Sequence, residues 1–210
     1  MKRIATALVL VPIAVWLILW APELVLMAAL IIVGGLALRE FHQITKQLVL
    51  GVVYIFAPFT CAILLRRISP HWLMLAVLLC WVGDTAALYI GKNFGRRKLS
   101  KVSPNKTWEG AAASVIGALI AAAIYAHYLI PQSPLPIVLL IAAVGNIAGQ
   151  FGDLAESALK RRAGVKDSGA SLPGHGGWLD RIDAILFAIP VVYALVLLFD
   201  SRLSAFIRGQ

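Results

Sequence analysis

Residues 153–183 read DLAESALKRRAGVKDSGASLPGHGGWLDRID and gather five of the chain's ten acids and five of its nineteen Lys and Arg residues. From Asp153, helical spacing sets Glu156, Ser157 and Lys160 on one face at i+3, i+4 and i+7. Glu156 and Lys160 also have the spacing of an ordinary stabilising pair. Lys160-Arg161-Arg162, Lys166 and Asp167 lead into Ser168-Gly169-Ala170-Ser171-Leu172-Pro173-Gly174-His175-Gly176-Gly177, a run that cannot be a helix interior. Glycines such as Gly176 and Gly177 let backbone approach a ligand, and their amides can form an anion-binding nest. Asp180 and Asp183 then put two carboxylates on one face where the last apolar run begins, a position that also suits helix capping. The set holds carboxylates for a hard divalent cation, basic groups for phosphates and a flexible loop to enclose them. These are the parts of magnesium-assisted phosphoryl or nucleotidyl transfer. Such chemistry needs no Ser-His-Asp or Cys-His pattern when the nucleophile is already an anion. His175 can contact phosphate or hold the turn.

The elements that must position these residues are hydrocarbon. With 60% hydrophobic and 14% charged residues, and with apolar runs near the ~20 residues that cross a bilayer, the chain reads as an integral membrane protein. Seven candidate helices fall at 4–21, 23–38, 48–65, 71–91, 108–130, 134–151 and 182–199. The expected fold is an all-α polytopic membrane helix bundle of about seven transmembrane helices with two polar cytoplasmic loops. It forms a single membrane domain over 1–210, with N-terminal helices in 1–70 and the catalytic helices and loops in 71–210. Met1-Lys2-Arg3 before an apolar run resembles a secretory signal, but no small-residue cleavage site follows Trp20, so the segment reads as a retained helix.

With the N-terminus in the cytoplasm, fifteen Lys and Arg residues lie inside and four outside: Arg66, Arg67, Arg202 and Arg208. That asymmetry accounts for the net charge of +9 without nucleic-acid binding. Cys61 and Cys80 fall in apolar spans and read as packing residues. The stretches 92–107 and 152–183 share the cytoplasmic side. Gly83-Asp84-Thr85-Ala86 and Gly152-Asp153-Leu154-Ala155 each end an apolar run there. An aspartate in a bilayer costs about 2.5–3.5 kcal/mol, so Asp84 and Asp153 need salt-bridge partners or a cation. The small residues Ala111–Ala113, Ser114, Gly117, Ala118 and Ala121–Ala123 mark the fifth helix as a packing element. A transporter would bury acids deep in its spans. Here most acids cluster at one rim beside basic loops.

The run Ser157-x-x-Lys160-Arg161, Lys166-Asp167-Ser168-Gly169, Pro173-Gly174-His175-Gly176-Gly177-x-x-Asp180-Arg181-x-Asp183 resembles the signature of the phosphatidate cytidylyltransferases (CDP-diacylglycerol synthases). The stretch GDTAALYIGKNFGRRKLSKVSPNKTWEG at 83–110 resembles that family's second motif, and KRIATALVLVPIAV its first helix. The resemblance implies that phosphatidate attacks the α-phosphorus of CTP, giving CDP-diacylglycerol and pyrophosphate. It implies Mg²⁺, with room for a second cation, on Asp153, Asp180 and Asp183, supported by Asp84 and Ser157. Lys160, Arg161, Lys166 and Lys106 would neutralise triphosphate or lipid phosphate. Asp167 joins the catalytic set on the same ground, and His175, Gly176, Gly177 and Arg181 the substrate-binding set. The family and the basic loops point to a bacterial inner membrane with the site facing the cytoplasm, and a homodimer is open.

The sequence departs from the family's pattern in places. It lacks roughly two helices after Arg39-Glu40-Phe41, and carries Ala86, Leu88 and Asn105 where glycine, tyrosine and lysine are common. These departures bear on the dimer interface, the helix count and the lipid groove. Two other readings remain beside this one: a CTP-dependent kinase of polyprenol, phytol or another lipid alcohol, and an inactive relative.

Overall fold

The computed structural model describes residues 2–100, 102–169, 171 and 176–208, and among them seven α-helices follow one another along the chain. They are α1 (Lys2–Leu19), α2 (Glu23–Thr45), α3 (Leu48–Ile68), α4 (Pro70–Phe94), α5 (Trp108–Leu129), α6 (Leu135–Arg162) and α7 (Leu179–Arg208). Each covers one expected apolar run. Six, α2 to α7, are long and apolar enough to cross a membrane, while α1 offers only the shorter apolar stretch Leu8–Leu19. The protein is a polytopic membrane helix bundle.

The helices run further than their apolar cores. α4 continues to Phe94 and α6 to Arg162, where the sequence reading stops them near 91 and 151. No Gly or Pro interrupts 153–162, and the Glu156–Lys160 pair at 2.9 Å supports that last stretch. α7 begins at Leu179, so Asp180 lies inside its first turn. Polar side chains are thereby carried on helix ends that continue past the apolar stretches.

Short turns join α1 to α2 and α3 to α4 at one end of the bundle. There Arg66 donates from Nε to the Ile18 carbonyl at 2.8 Å and from a terminal nitrogen to the Ala21 carbonyl, and Arg67 pairs with Glu23 at 2.6 Å. The longer connections 95–107 and 163–178 lie at the opposite end. The main core contains Leu65, Leu75, Leu79, Ile141, Val192 and Val196, all fully buried. Outward-facing Leu24, Ile31, Val49, Ile120 and Leu198 are exposed, as lipid-facing residues should be.

α4 packs most extensively on α5, and α6 on α7. Small residues set both approaches. A β-carbon at Gly152 would lie 2.6 Å from the Asp183 carbonyl oxygen and 2.9 Å from the Phe187 ring, so this glycine lets α6 and α7 close around the acids that follow it. Gly152→Ala should cost about 1–3 kcal/mol by overpacking. Gly35→Ala is the control, because a β-carbon there meets nothing within 4 Å. Thermal melts in detergent should show a lowered midpoint for the first and an unchanged or raised one for the second; equal midpoints would remove the close-packing argument.

Candidate active site

At the end of the bundle bearing the long connections, Asp180 joins α6, α7 and the intervening loop. Its Oδ1 accepts from Lys160 Nζ at 2.7 Å, and its Oδ2 accepts from the backbone N–H groups of Gly177 at 2.8 Å and Ser168 at 3.0 Å. Lys160 also donates to Glu156 Oε2 at 2.9 Å, so one ammonium lies between carboxylates of two helices. Helix α6 presents Asp153, Glu156 and Lys160 along one face because they stand three and four residues apart.

The loop before α7 is fastened from a distant part of the chain. Glu40, near the end of α2 and only 3% exposed, accepts at Oε2 from Leu179 N (2.9 Å) and the Ser168 hydroxyl (3.1 Å), and at Oε1 from the Ser171 hydroxyl (2.8 Å). Ser168 Oγ in turn accepts from Asp180 N at 3.3 Å. The first two N–H groups of α7 are thus satisfied by side chains outside the helix, and Glu40 places a negative charge at its positive end. Gly177 is fitted to this knot, since a β-carbon would collide with Ser168 Oγ and the Glu40 carboxylate. Nothing in the motif spacing of 153–183 points to Glu40; the available signal is a carboxylate near the end of an apolar run.

The connection from α4 to α5 is a small hairpin. Leu99 N donates to the Lys106 carbonyl (2.8 Å), Trp108 N to the Arg97 carbonyl (2.9 Å), and Lys98 bridges Thr107 antiparallel. Thr107 caps α5 by accepting from Gly110 N at 3.1 Å, and the Glu109 carboxylate takes the N–H groups of Arg96 and Arg97. The hairpin delivers Lys106 to Asp153, with which it forms an ion pair. Beneath it, Ser114, Asn146 and Gln150 form a hydrogen-bonded network within the spans. Asn146 Nδ2 donates to the Leu79 carbonyl at 3.1 Å, and Gln150 Nε2 to Asn146 Oδ1 at 2.9 Å and the Ala111 carbonyl at 3.2 Å. The network ties α4, α5 and α6 together. Sequence reasoning missed it, although Asn146, Gln150 and Asp153 stand at i, i+4 and i+7 on the face that carries the site.

These parts enclose a cavity of about 450 Å³, within the range for small-molecule sites. Asp84, Asp153, Asp167, Asp180 and Asp183 line it with Lys106, Lys160 and Arg181, and Ser114, Asn105 and Gln150 add neutral polar groups. The structure therefore brings together eight of the residues expected at the site. Others stand apart from its lining: Ser157 is half-buried on α6, Lys166 is exposed, and Arg161 is exposed and donates to the Val165 carbonyl at 3.1 Å. Gly176, with φ of 79°, and Gly177 belong to the turn around Asp180. His175 lies outside the described residues.

The donor chemistry fits a hard cation. Asp153 interacts electrostatically with both Asp84 and Asp183, and the Glu156 and Asp183 carboxyl groups face one another. Glu156 Oε1 is buried without a hydrogen-bond partner. Facing carboxyl groups require a shared proton or a cation between them. Among the described residues no three acids are gathered closely enough to hold an ion as they stand. Asp180 is committed to Lys160 and the loop amides, and Asp153 to Lys106.

A bundle of membrane-spanning helices with an acid-and-base-lined polar cavity at one end defines an integral membrane protein. The chain belongs to the cytidylyltransferase family, whose sequence profile matches residues 45–199. Over 157 residues it is 43% identical to the phosphatidate cytidylyltransferase of Bacillus subtilis (strain 168), covering 72% of this chain and 58% of that protein. Over 149 residues it is 38% identical to the phosphatidate cytidylyltransferase of Staphylococcus haemolyticus (strain JCSC1435), covering 70% of this chain and 57% of that protein. The alignments thus span less than two thirds of these relatives' lengths.

Proposed function

We propose that this protein transfers CMP from CTP to phosphatidate, forming CDP-diacylglycerol. A phosphate oxygen of phosphatidate bonds to the α-phosphorus of CTP as the bond to the β-phosphate oxygen breaks, and pyrophosphate leaves. The observation that carries this reading is a cavity in which carboxylates from α4, α6 and α7 meet Lys106, Lys160 and Arg181 at the end of a membrane bundle. The names of the relatives support the choice of nucleotide and lipid.

Lys106 on the α4–α5 connection and Lys160 on α6 both line the site and are suited to holding the triphosphate, while Arg181 is suited to the lipid phosphate. Asp153 and Asp183 would hold Mg²⁺, with Asp84 beside them. When bound, that ion would offset charge on the triphosphate and the departing pyrophosphate. Because the attacking phosphate is already anionic, no protein base is needed. The excess of basic residues at the cavity end suits a cytoplasmic orientation, and the bacterial relatives suit an inner membrane.

The test is incubation of detergent-purified protein with phosphatidate, CTP and Mg²⁺, resolving lipid products alongside pyrophosphate. A CDP-lipid and pyrophosphate in equal amounts are expected, with both lost on adding EDTA. Release of CDP with a lipid monophosphate from an alcohol substrate would replace this reading with a lipid kinase.

A further inference from the structure

The Ser114–Asn146–Gln150 network has one polar atom to spare. The Leu79 carbonyl can only accept, so Asn146 turns Nδ2 toward it at 3.1 Å and toward the Ser114 hydroxyl oxygen at 3.1 Å. Asn146 Oδ1 is thereby an acceptor, and Gln150 must face it and the Ala111 carbonyl with Nε2, at 2.9 and 3.2 Å. Both hydrogens of each amide are used, which settles the orientation of Gln150 and leaves its Oε1 as an acceptor to which no described residue donates. Turning the amide over would set Oε1 against two other acceptors. The network is also closely packed: Ser114 and Asn146 are buried, and a β-carbon at Gly83 would collide with both side chains.

Gln150 lines the polar cavity beside Gly110 and Ala111 of α5, on a side without charge. It stands three residues before Asp153 on α6, about 4.5 Å further into the bundle than the residue that pairs with Lys106. Phosphates and carboxylates are acceptors only and offer nothing to an amide oxygen. What suits it is an N–H on a neutral, flat group that fits against glycine and alanine. We infer that Gln150 selects the nucleotide's base, its Oε1 accepting from the exocyclic 4-amino group of cytosine; the nucleotide's place in this cavity rests on the cytidylyl-transfer reading. Uracil carries a carbonyl oxygen at that position, which would meet Oε1 with no hydrogen between them. A free glutamine would answer by rotating its amide, but Asn146, held by Leu79 and Ser114, denies Gln150 that rotation. Asn146 does not line the cavity and acts as a positioning residue.

Detergent-purified protein is titrated calorimetrically with Mg²⁺ present and lipid absent, so that binding is measured without turnover. The ligands are CTP, UTP, dCTP and the triphosphate of pyrimidin-2-one riboside, which is CTP with hydrogen in place of the 4-amino group. Wild-type protein should bind CTP roughly ten- to a hundredfold more tightly than the pyrimidinone, and reject UTP at least as strongly. Gln150→Leu should bring CTP and the pyrimidinone within about threefold of each other. Asn146→Leu, which frees the Gln150 amide to turn, should narrow the gap between CTP and UTP. Misfolding would weaken all four ligands together, and the wild-type comparison depends on no variant. Equal binding of CTP and the pyrimidinone by wild type, no CTP binding by monodisperse protein, or an unchanged gap in Gln150→Leu would overturn the assignment. A Gln150-dependent gap for dCTP alone would overturn it too, moving the residue's contact to the ribose. A Gln150-dependent preference for CTP in protein that makes CDP and a lipid monophosphate would sink the proposed reaction and leave the base contact standing.

Discussion

Asp180→Asn should lower kcat/KM for CDP-lipid formation by roughly 10³ while leaving the helical circular-dichroism spectrum unchanged. Asp180 is the acceptor for Lys160 Nζ and for the backbone N–H groups of Ser168 and Gly177. An asparagine of the same shape has one acceptor oxygen and an NH₂ group, so a donor must face either the ammonium or an amide. The amide left without a partner costs about 1–3 kcal/mol, and the ammonium loses one of its two carboxylates. Lys160 would then turn wholly to Glu156, away from the cavity. The effect stays local because Asp180 lies in the first turn of α7, while the bundle is held by the apolar core below it. Steady-state assays at saturating and limiting CTP measure the loss; activity within a few-fold of wild type would show that the junction is dispensable.

Glu40→Leu is the second large effect, expected to lower turnover roughly a hundredfold without contact between residue 40 and the polar cavity. The carboxylate accepts from Leu179 N and two serine hydroxyls, and hydrogen bonds to a charged group contribute about 1.5–3 kcal/mol each. Losing about 3 kcal/mol from loop closure corresponds to ~100-fold in the ratio of closed to open loop, the upper limit of the effect on turnover. Glu40→Gln should fall between wild type and Glu40→Leu, since it keeps one acceptor and fills the same space. Hydrogen exchange provides the readout that separates anchoring from general destabilisation. Amides at 168–180 should exchange faster in Glu40→Leu, while those of α5 keep wild-type protection. Uniform acceleration across the bundle would mean that Glu40 supports the whole fold rather than this loop.

Much of this protein is legible along the chain because the bilayer imposes a rule that acts locally. Each span must be a long apolar helix satisfying its own backbone, so hydropathy places all seven elements. The polar residues of 153–183 are equally plain, since acids, bases and glycines have no bland reason to crowd together in a hydrocarbon chain. What hydropathy misplaces are the ends. α6 runs eleven residues past its apolar core because helix propensity and the Glu156–Lys160 pair continue after apolarity stops.

The sequence by itself determined the membrane bundle, its two polar connections and the roster of ionic groups, because these follow from composition and near-neighbour spacing. Only the tertiary structure decided which charges meet: Lys106 with Asp153 across 47 positions, Lys160 with Asp180 across 20, and Glu40 with Leu179 across 139. It also set Arg161 and Lys166 outside the cavity lining, though they belong to the same motif as Lys160. Such partnerships depend on how helices cross, and crossing is fixed by close approaches such as Gly152 against α7. No local pattern encodes them, because the groups that meet are distant in the chain and adjacent only in the packed bundle.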